Sequence, residues 1–303
     1  MLAKPAVIFG FRMPRFLPRF AGVVSLCLAL AGCSGATLLN AVTPSGDTQT
    51  VRDLRYQPGE RGTFDLYLPE GVTATTPVVV FIHGGSWDAG SKSIYPFVGK
   101  SLASAGFVVA IPNYRLYPDT VFPGFVEDGA AATAAVRSLA RDGGSGLPAG
   151  RHPIFLMGHS AGAEIAALLA FDERYLRRVG INARDLEGFV GLAGPYDFLP
   201  LKEERYKRIF PPAVREASQP IRFVDGREVP SLLIAGLDDT TVEPRNTRAM
   251  AQAIRDKGGR VEEKLYPDLD HIGAVTSLAT ALPLGRMAVK CAGSAPAASQ
   301  PCS

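Results

Sequence analysis

Ile154-Phe155-Leu156-Met157-Gly158-His159-Ser160-Ala161-Gly162-Ala163 is the stretch that decides how the rest of the chain is read. Residues 154–157 are a short apolar run suited to a buried strand, and residues 161–171 are rich in Ala and Leu, as in a buried helix. Between them lies the pattern G-x-S-x-G, which says little by itself. Set between strand and helix, it predicts a sharp turn in which Gly158 and Gly162 let two backbone segments approach closely. The turn lifts the Ser160 hydroxyl clear of the sheet and sets the first N–H groups of the new helix beside it. Ser160 is therefore a candidate nucleophile. The plain alternative is a glycine turn with an idle serine.

Working outward, apolar strand-like runs alternate with helical stretches, as in a sheet with helices on both faces. Residues 77–82 are a Val-rich run expected of a parallel strand buried on both sides. Residues 107–111, 189–193, 232–235 and 261–266 are further strand candidates, and 126–139 and 247–257 show helical patterning. The fold class is α/β, with a mostly parallel central sheet. Residues 195–228 interrupt the alternation, being Pro-bearing and highly charged. They are expected to form an excursion at the C-terminal edge of the sheet, as a small cap over the site or as a solvated loop.

A serine hydroxyl needs a base to become a nucleophile at neutral pH. The chain has four histidines. His83 ends a strand, His159 adjoins the serine and cannot fold back onto it, and His152 precedes its strand at the opposite edge. His271, in Asp270-His271-Ile272-Gly273 after the last strand, is left. An acid must hold that base in one tautomer, and in strand–helix folds with this turn the order is Ser, acid, His. Gly236-Leu237-Asp238-Asp239-Thr240-Thr241-Val242 offers two aspartates after a strand. The recurring G-x-x-D-x-x-V pattern favours Asp239 over Asp238, and Asp270 is a third candidate. Attack on an acyl carbon also creates an oxyanion. His83-Gly84-Gly85-Ser86-Trp87 supplies glycines that can aim N–H groups at it, so the hole is assigned to Gly84, Gly85 and Ala161; a glycine hairpin is the bland reading.

His83-Gly84-Gly85-x-Trp87-x-x-Gly90-x-Lys92 resembles the H-G-G-x-W-x-x-G-x-K signature of the carboxylesterase, kynurenine formamidase and prenylcysteine methylesterase-like group of α/β-hydrolases. Asn113-Tyr114-Arg115-Leu116, Phe122-Pro123 and Asp128 resemble the group's N-Y-R-L…F-P…D stretch, and Phe64-Asp65-Leu66-Tyr67-Leu68-Pro69 its D-x-Y-x-P entry strand. The resemblance covers roughly residues 63–273. It implies an α/β-hydrolase fold and a Ser160–Asp239–His271 triad, with Trp87, Asn113 and Arg115 bracing the loop rather than touching substrate. Ser86 stands where hormone-sensitive-lipase relatives carry a third glycine, which tilts the reading away from them.

The two ends read differently from the middle. Residues 1–32 hold Lys4, Arg12, Arg15 and Arg19 and no acid, so the remainder of a +3 chain carries −1. Nothing in that remainder suggests a grip on nucleic acid. The uncharged apolar run 20–31 is too short to span a bilayer as a helix. It ends in Leu30-Ala31-Gly32-Cys33, which resembles a lipoprotein box. Residues 1–32 are thus expected to be a lipoprotein signal peptide with Met13 a possible start, and Cys33 the site of lipidation; an ordinary secretory signal is the alternative. Residues 33–57 then form a tether, 58–290 the hydrolase domain and 291–303 a flexible tail. Cys291 and Cys302 could pair in an oxidising envelope or remain thiols.

The expected function is a serine hydrolase cleaving small-molecule carboxylic esters, with no cofactor and no metal, lipid-anchored in a bacterial envelope. The oligomeric state is not readable. A formamidase or amidase would use the same residues. A lipase would need a large apolar face or lid, against which the charged 195–228 segment argues, and a non-catalytic binding protein would ordinarily lack a triad member.

Overall fold

The computed structural model describes residues 35–44 and 46–279. In chain order the elements are α1 (Gly35–Val42), β1 (Gln49–Arg55), β2 (Thr63–Leu68), β3 (Val78–Ile82), α2 (Pro96–Ser104), β4 (Val108–Pro112), α3 (Gly124–Asp142) and β5 (Ile154–His159). They continue with α4 (Ala161–Phe171), α5 (Glu173–Arg178), β6 (Gly188–Leu192), α6 (Glu204–Ile209), β7 (Ser231–Gly236), α7 (Arg245–Asp256), β8 (Val261–Tyr266) and α8 (His271–Thr276). The strands form one eight-stranded sheet in the order β1-β2-β4-β3-β5-β6-β7-β8. From β4 to β8 all pairings are parallel, while β1–β2 and β2–β4 are antiparallel.

The core lies on both faces of this sheet. Strand alternation sends Val78, Val80 and Ile82 into one apolar cluster and Val79 and Phe81 into the other. That two-sided burial is why β3 is an unbroken Val/Ile/Phe run. Helix α4 is buried along its whole length, which explains its small residues, whereas α7 buries one stripe made by Met250, Ala251 and Ile254. Because β3, β5, β6, β7 and β8 run parallel, the loops after them gather at one edge. The turns after β3, β5, β7 and β8 carry the residues singled out from the sequence.

The tether assigned to 33–57 needs correction. Gln49–Arg55 is the edge strand of the sheet, paired with β2 and broken by a bulge between Val51 and Leu54. Its polar residues face water, as suits an edge, while Val51 and Leu54 pack on the core. Residues 35–42 form α1, whose Asn40 carboxamide accepts from Phe97 N–H at 2.8 Å and donates to Ile94 O at 3.2 Å. The signal peptide expected at 1–32, the expected lipidation site Cys33 and the tail 291–303 with Cys291 and Cys302 lie outside the described residues.

Candidate active site

Ser160 sits between β5 and α4 with φ 54° and ψ −125°, a left-handed backbone that costs a non-glycine residue about 1–3 kcal/mol. Its surroundings enforce that conformation. The Ser160 N–H donates to Leu192 O of β6 at 2.9 Å, and its carbonyl accepts from Ala163 N–H at 2.8 Å. The two glycines are needed for close approach: a Cβ on Gly158 would lie 2.2 Å from Gly162 O, and one on Gly162 would lie 2.1 Å from Ile82 O. Among the described residues the Ser160 hydroxyl makes no hydrogen bond, and catalytic hydrogen bonds of this kind are often completed only when substrate arrives.

The structure brings His271 and Asp239 together. His271 opens α8, and its Nδ1–H donates to Asp239 Oδ2 at 2.7 Å. Asp239 is 3% exposed, and its Oδ1 accepts from the backbone N–H of Thr241 at 2.9 Å and Val242 at 2.8 Å. Burial pushes this carboxyl up, but the His271 hydrogen bond and the two N–H groups together outweigh burial and hold it below its ordinary value. With Nδ1 committed as donor, Nε2 is the His271 atom left to take a proton. The backbone of His271 is held by His159, whose Nε2–H donates to the His271 carbonyl at 3.0 Å, with the two rings 4.8 Å apart. The competing aspartates do other work. Asp270 caps α8 by accepting from Gly273 N–H at 2.6 Å, and Asp238 is exposed, with its backbone N–H on Leu269 O.

The loop after β3 lies against the serine turn, since a Cβ on Gly84 would be 3.2 Å from Ser160 Cβ. The assignment of Gly84 to the oxyanion hole is corrected by its partner: the Gly84 N–H donates to the Tyr95 hydroxyl at 3.3 Å. One N–H cannot serve both. Gly85, Ser86 and Trp87 follow with φ of 130°, 53° and 62°, three consecutive left-handed residues that turn the chain sharply. A side chain at Gly85 would meet Ala89 O at 2.2 Å. The N–H groups of Gly85, Ser86 and Ala161 donate no backbone hydrogen bond among the described residues, and they are the remaining candidate donors on the two turns. Ser86 is a candidate the sequence did not offer, because only a glycine pair advertises such a loop.

The bracing expected of the surrounding motif is present. Asn113 Oδ1 accepts from Lys92 N–H at 2.7 Å, Lys92 Nζ reaches Asp53 at 2.7 Å and also Asp65, and Arg115 pairs with buried Asp128 at 2.7 Å. From the 195–228 segment, Phe198, Tyr206 and Phe210 pack their rings on Trp87 at 5.7, 5.9 and 4.8 Å. Arg205 of α6 pairs with Asp88 at 2.9 Å. The excursion is therefore fixed to the loop after β3 at the site's edge of the sheet.

The other histidines fall where elimination put them. His152 lies at the opposite edge, its ring nitrogens on Thr76 O and Pro148 O at 2.7 and 2.9 Å. Burial pushes both His83 and His159 down to about 3, so each is a neutral ring. A folded pKa below the unfolded value means stability that is complete above pH ~6.5 and is lost as pH falls toward 3, because the unfolded chain gains the protons. Each ring should remove about 2 kcal/mol of stability between pH 7 and pH 5. Urea midpoints measured at the two pH values should fall markedly at pH 5, and equal midpoints would contradict the buried neutral rings.

Comparison with known proteins adds four findings. The family model BD-FAE matches residues 64–254. A probable isoprenylcysteine alpha-carbonyl methylesterase of Arabidopsis thaliana is 26% identical over 244 residues, covering 73% of this chain and 50% of that protein. The kynurenine formamidase of Danio rerio is 26% identical over 231 residues, 76% of this chain and 72% of that one. The chain thus spans about half the length of the first of these relatives. Among solved structures, esterase B of Lactobacillus rhamnosis superposes with a TM-score of 0.72 at 21% identity, covering 91% of this chain and 94% of that chain. At that identity the likeness shows the α/β-hydrolase fold.

Proposed function

The chain belongs to the BD-FAE family, and from that premise we propose that it is a serine hydrolase cleaving carboxylic esters of small to medium acyl groups. The observation that carries the reading is the 2.7 Å His271–Asp239 hydrogen bond, held by His159 beside a serine in a strained turn. Ser160 Oγ attacks the ester carbonyl carbon while His271 Nε2 takes its proton, and Asp239 stabilises the imidazolium. The carbonyl oxygen, now negative, lies on the N–H groups of Gly85, Ser86 and Ala161. Collapse expels the alcohol, which receives the proton from His271. Water, deprotonated by the same ring, then attacks the acyl-enzyme and releases the acid, and Ser160 regains its proton.

Hydrolysis of p-nitrophenyl esters of graded chain length tests this. Turnover that peaks at short to medium acyl chains is expected, and no turnover of any ester would contradict it. The similarity to a kynurenine formamidase over most of that protein's length supports a second reading, hydrolysis of a formamide by the same residues. Cleavage of an aryl formamide in preference to every ester would favour it.

We further propose that the protein is exported and lipid-anchored through Cys33, with Ser34 directing it to the outer membrane. The support is sequence: a basic start, an apolar run and Leu30-Ala31-Gly32-Cys33. Since α1 begins at Gly35, two residues later, this reading sets the folded body directly at the lipid surface rather than on a long tether. The mass of the mature N-terminal peptide tests it: a diacylglyceryl-cysteine is expected, and an unmodified Cys33 in the membrane fraction would overturn it.

A further inference from the structure

Helix α4 carries a single charged residue in an otherwise apolar sequence. Ala161, Gly162, Ala163, Ile165, Ala166, Ala167, Leu168, Leu169, Ala170 and Phe171 surround Glu164, and every residue of the helix is buried. Glu164 itself is 0% exposed. A carboxyl in such a place is costly unless something holds it, and among the described residues it has no ion-pair partner. Its Oε2 accepts a hydrogen bond from Trp87 Nε1–H at 3.0 Å, and its Oε1 is buried without a partner. The triad makes no use of this group.

Its place in the chain gives it a use. Glu164 lies four residues after Ser160, one helical turn along, and its own N–H donates to the Ser160 carbonyl at 3.2 Å. Trp87 is the last of the three left-handed residues Gly85-Ser86-Trp87. Strained backbone of this kind persists only where its surroundings dictate it. Trp87 is held on three sides: its carbonyl accepts from Tyr117 N–H at 2.9 Å, its ring packs among Phe125, Phe198, Tyr206 and Phe210, and its indole N–H meets Glu164. The last of these is the side-chain bond joining the serine's helix to the oxyanion loop.

We propose that Glu164 is a positioning residue that fixes the Gly85 and Ser86 N–H donors relative to Ser160 by anchoring Trp87 to the nucleophile helix. This rests on the serine-hydrolase reading above. Complete burial raises its carboxyl well above the ordinary carboxylate range, which the Trp87 hydrogen bond only partly offsets. Neutrality also suits the chemistry, because an ionised carboxylate on this helix would oppose the negative charge that develops on the substrate oxygen.

The test compares Glu164→Gln, Glu164→Leu and Trp87→Phe in the full chain, together with the Trp87→Phe/Glu164→Leu double variant. Gln keeps a neutral acceptor of the same shape, so its kcat should stay within about 3-fold of the parent, with an unchanged pH–rate profile. Leu and Phe remove the anchor. Each should lower kcat at least about 10-fold with KM changed less than about 3-fold, the loss expected of a donor that acts on the transition state. The double variant should be no worse than the poorer single one. The rate of Ser160 labelling by a fluorophosphonate should fall in parallel, and this readout needs no ester turnover. If the parent labels at Ser160 yet cleaves no ester, the substrate reading fails while the positioning role is still read from labelling rates. Three results would overturn the proposal: a Gln variant as impaired as Leu, a Leu variant with parental kcat and labelling rate, or fully additive losses in the double variant. If the Leu variant fails to fold, Gln and Trp87→Phe decide the matter through the same kcat and labelling rates.

Discussion

Replacing Ser160 by Ala is expected to lower kcat for ester hydrolysis by about 10⁴–10⁶-fold while leaving the fold intact. The size follows from the division of labour at the site. Without the hydroxyl no acyl-enzyme forms, and His271 has no attached proton to remove. The proposed N–H donors of Gly85, Ser86 and Ala161 remain, so a residual rate above that of water should persist. Ser160 is 8% exposed and, among the described residues, its Oγ makes no hydrogen bond, so its loss breaks none there. Relief of a side chain at φ 54° is small, because Ala keeps its Cβ. Circular dichroism and urea midpoints matching the parent, beside kcat reduced by several orders of magnitude, is the predicted pair of results. Loss of less than about 10-fold would mean that another residue attacks the substrate.

Asp239→Asn carries the second largest effect. In the parent, Asp239 Oδ2 receives Nδ1–H of His271 at 2.7 Å while Oδ1 receives the N–H groups of Thr241 and Val242. An amide at this position must present its oxygen to those two N–H groups, which turns its NH₂ toward His271. The ring then places its proton on Nε2 in order to accept at Nδ1, and Nε2, the proposed base, becomes a donor. It can no longer take a proton from the hydroxyl. In serine-hydrolase triads this wrong-tautomer effect is about 10⁴-fold in kcat, and we expect a loss of that order near neutral pH. Substrate binding should change little, since Asp239 is buried behind the imidazole. Partial recovery at high pH, where hydroxide assists the serine, would agree with this account. A loss below about 10-fold would show that the buried aspartate does not set the tautomer of the ring.

The parts of this structure that could be read from sequence are those in which one local signal has one physical outcome. The apolar run at 154–157, the paired glycines and the Ala/Leu helix admit only a strand, a tight turn and a buried helix, and the structure has β5, Ser160 and α4 there. Val261–Tyr266 was legible to the residue. His271 could be found because only four histidines compete and topology disposes of three. Asp239 was distinguishable from Asp238 by its spacing to Val242, and that spacing has a structural meaning: Asp239 Oδ1 accepts the Val242 N–H.

What escaped was set by partners far along the chain. Gln49–Arg55 has the polar composition of a tether because it is an edge strand with a bulge. Only pairing with β2 reveals it. Gly84 looked like an oxyanion donor as much as Gly85 does, and the choice is made by the hydroxyl of Tyr95, eleven residues later. Glu164 was absorbed into a helix whose composition is otherwise apolar. A single acid on a fully apolar helix was the available signal, but its partner, Trp87, is 77 residues away in sequence.

The most direct test of the account is to treat the purified protein with a fluorophosphonate and locate the adduct by peptide mass spectrometry. One modified residue is expected, Ser160 in Gly158-His159-Ser160-Ala161-Gly162, with labelling lost in Ser160→Ala and strongly slowed in Asp239→Asn. An adduct on any other residue, or a parent protein that remains unmodified under conditions that label an ordinary serine esterase, would contradict it.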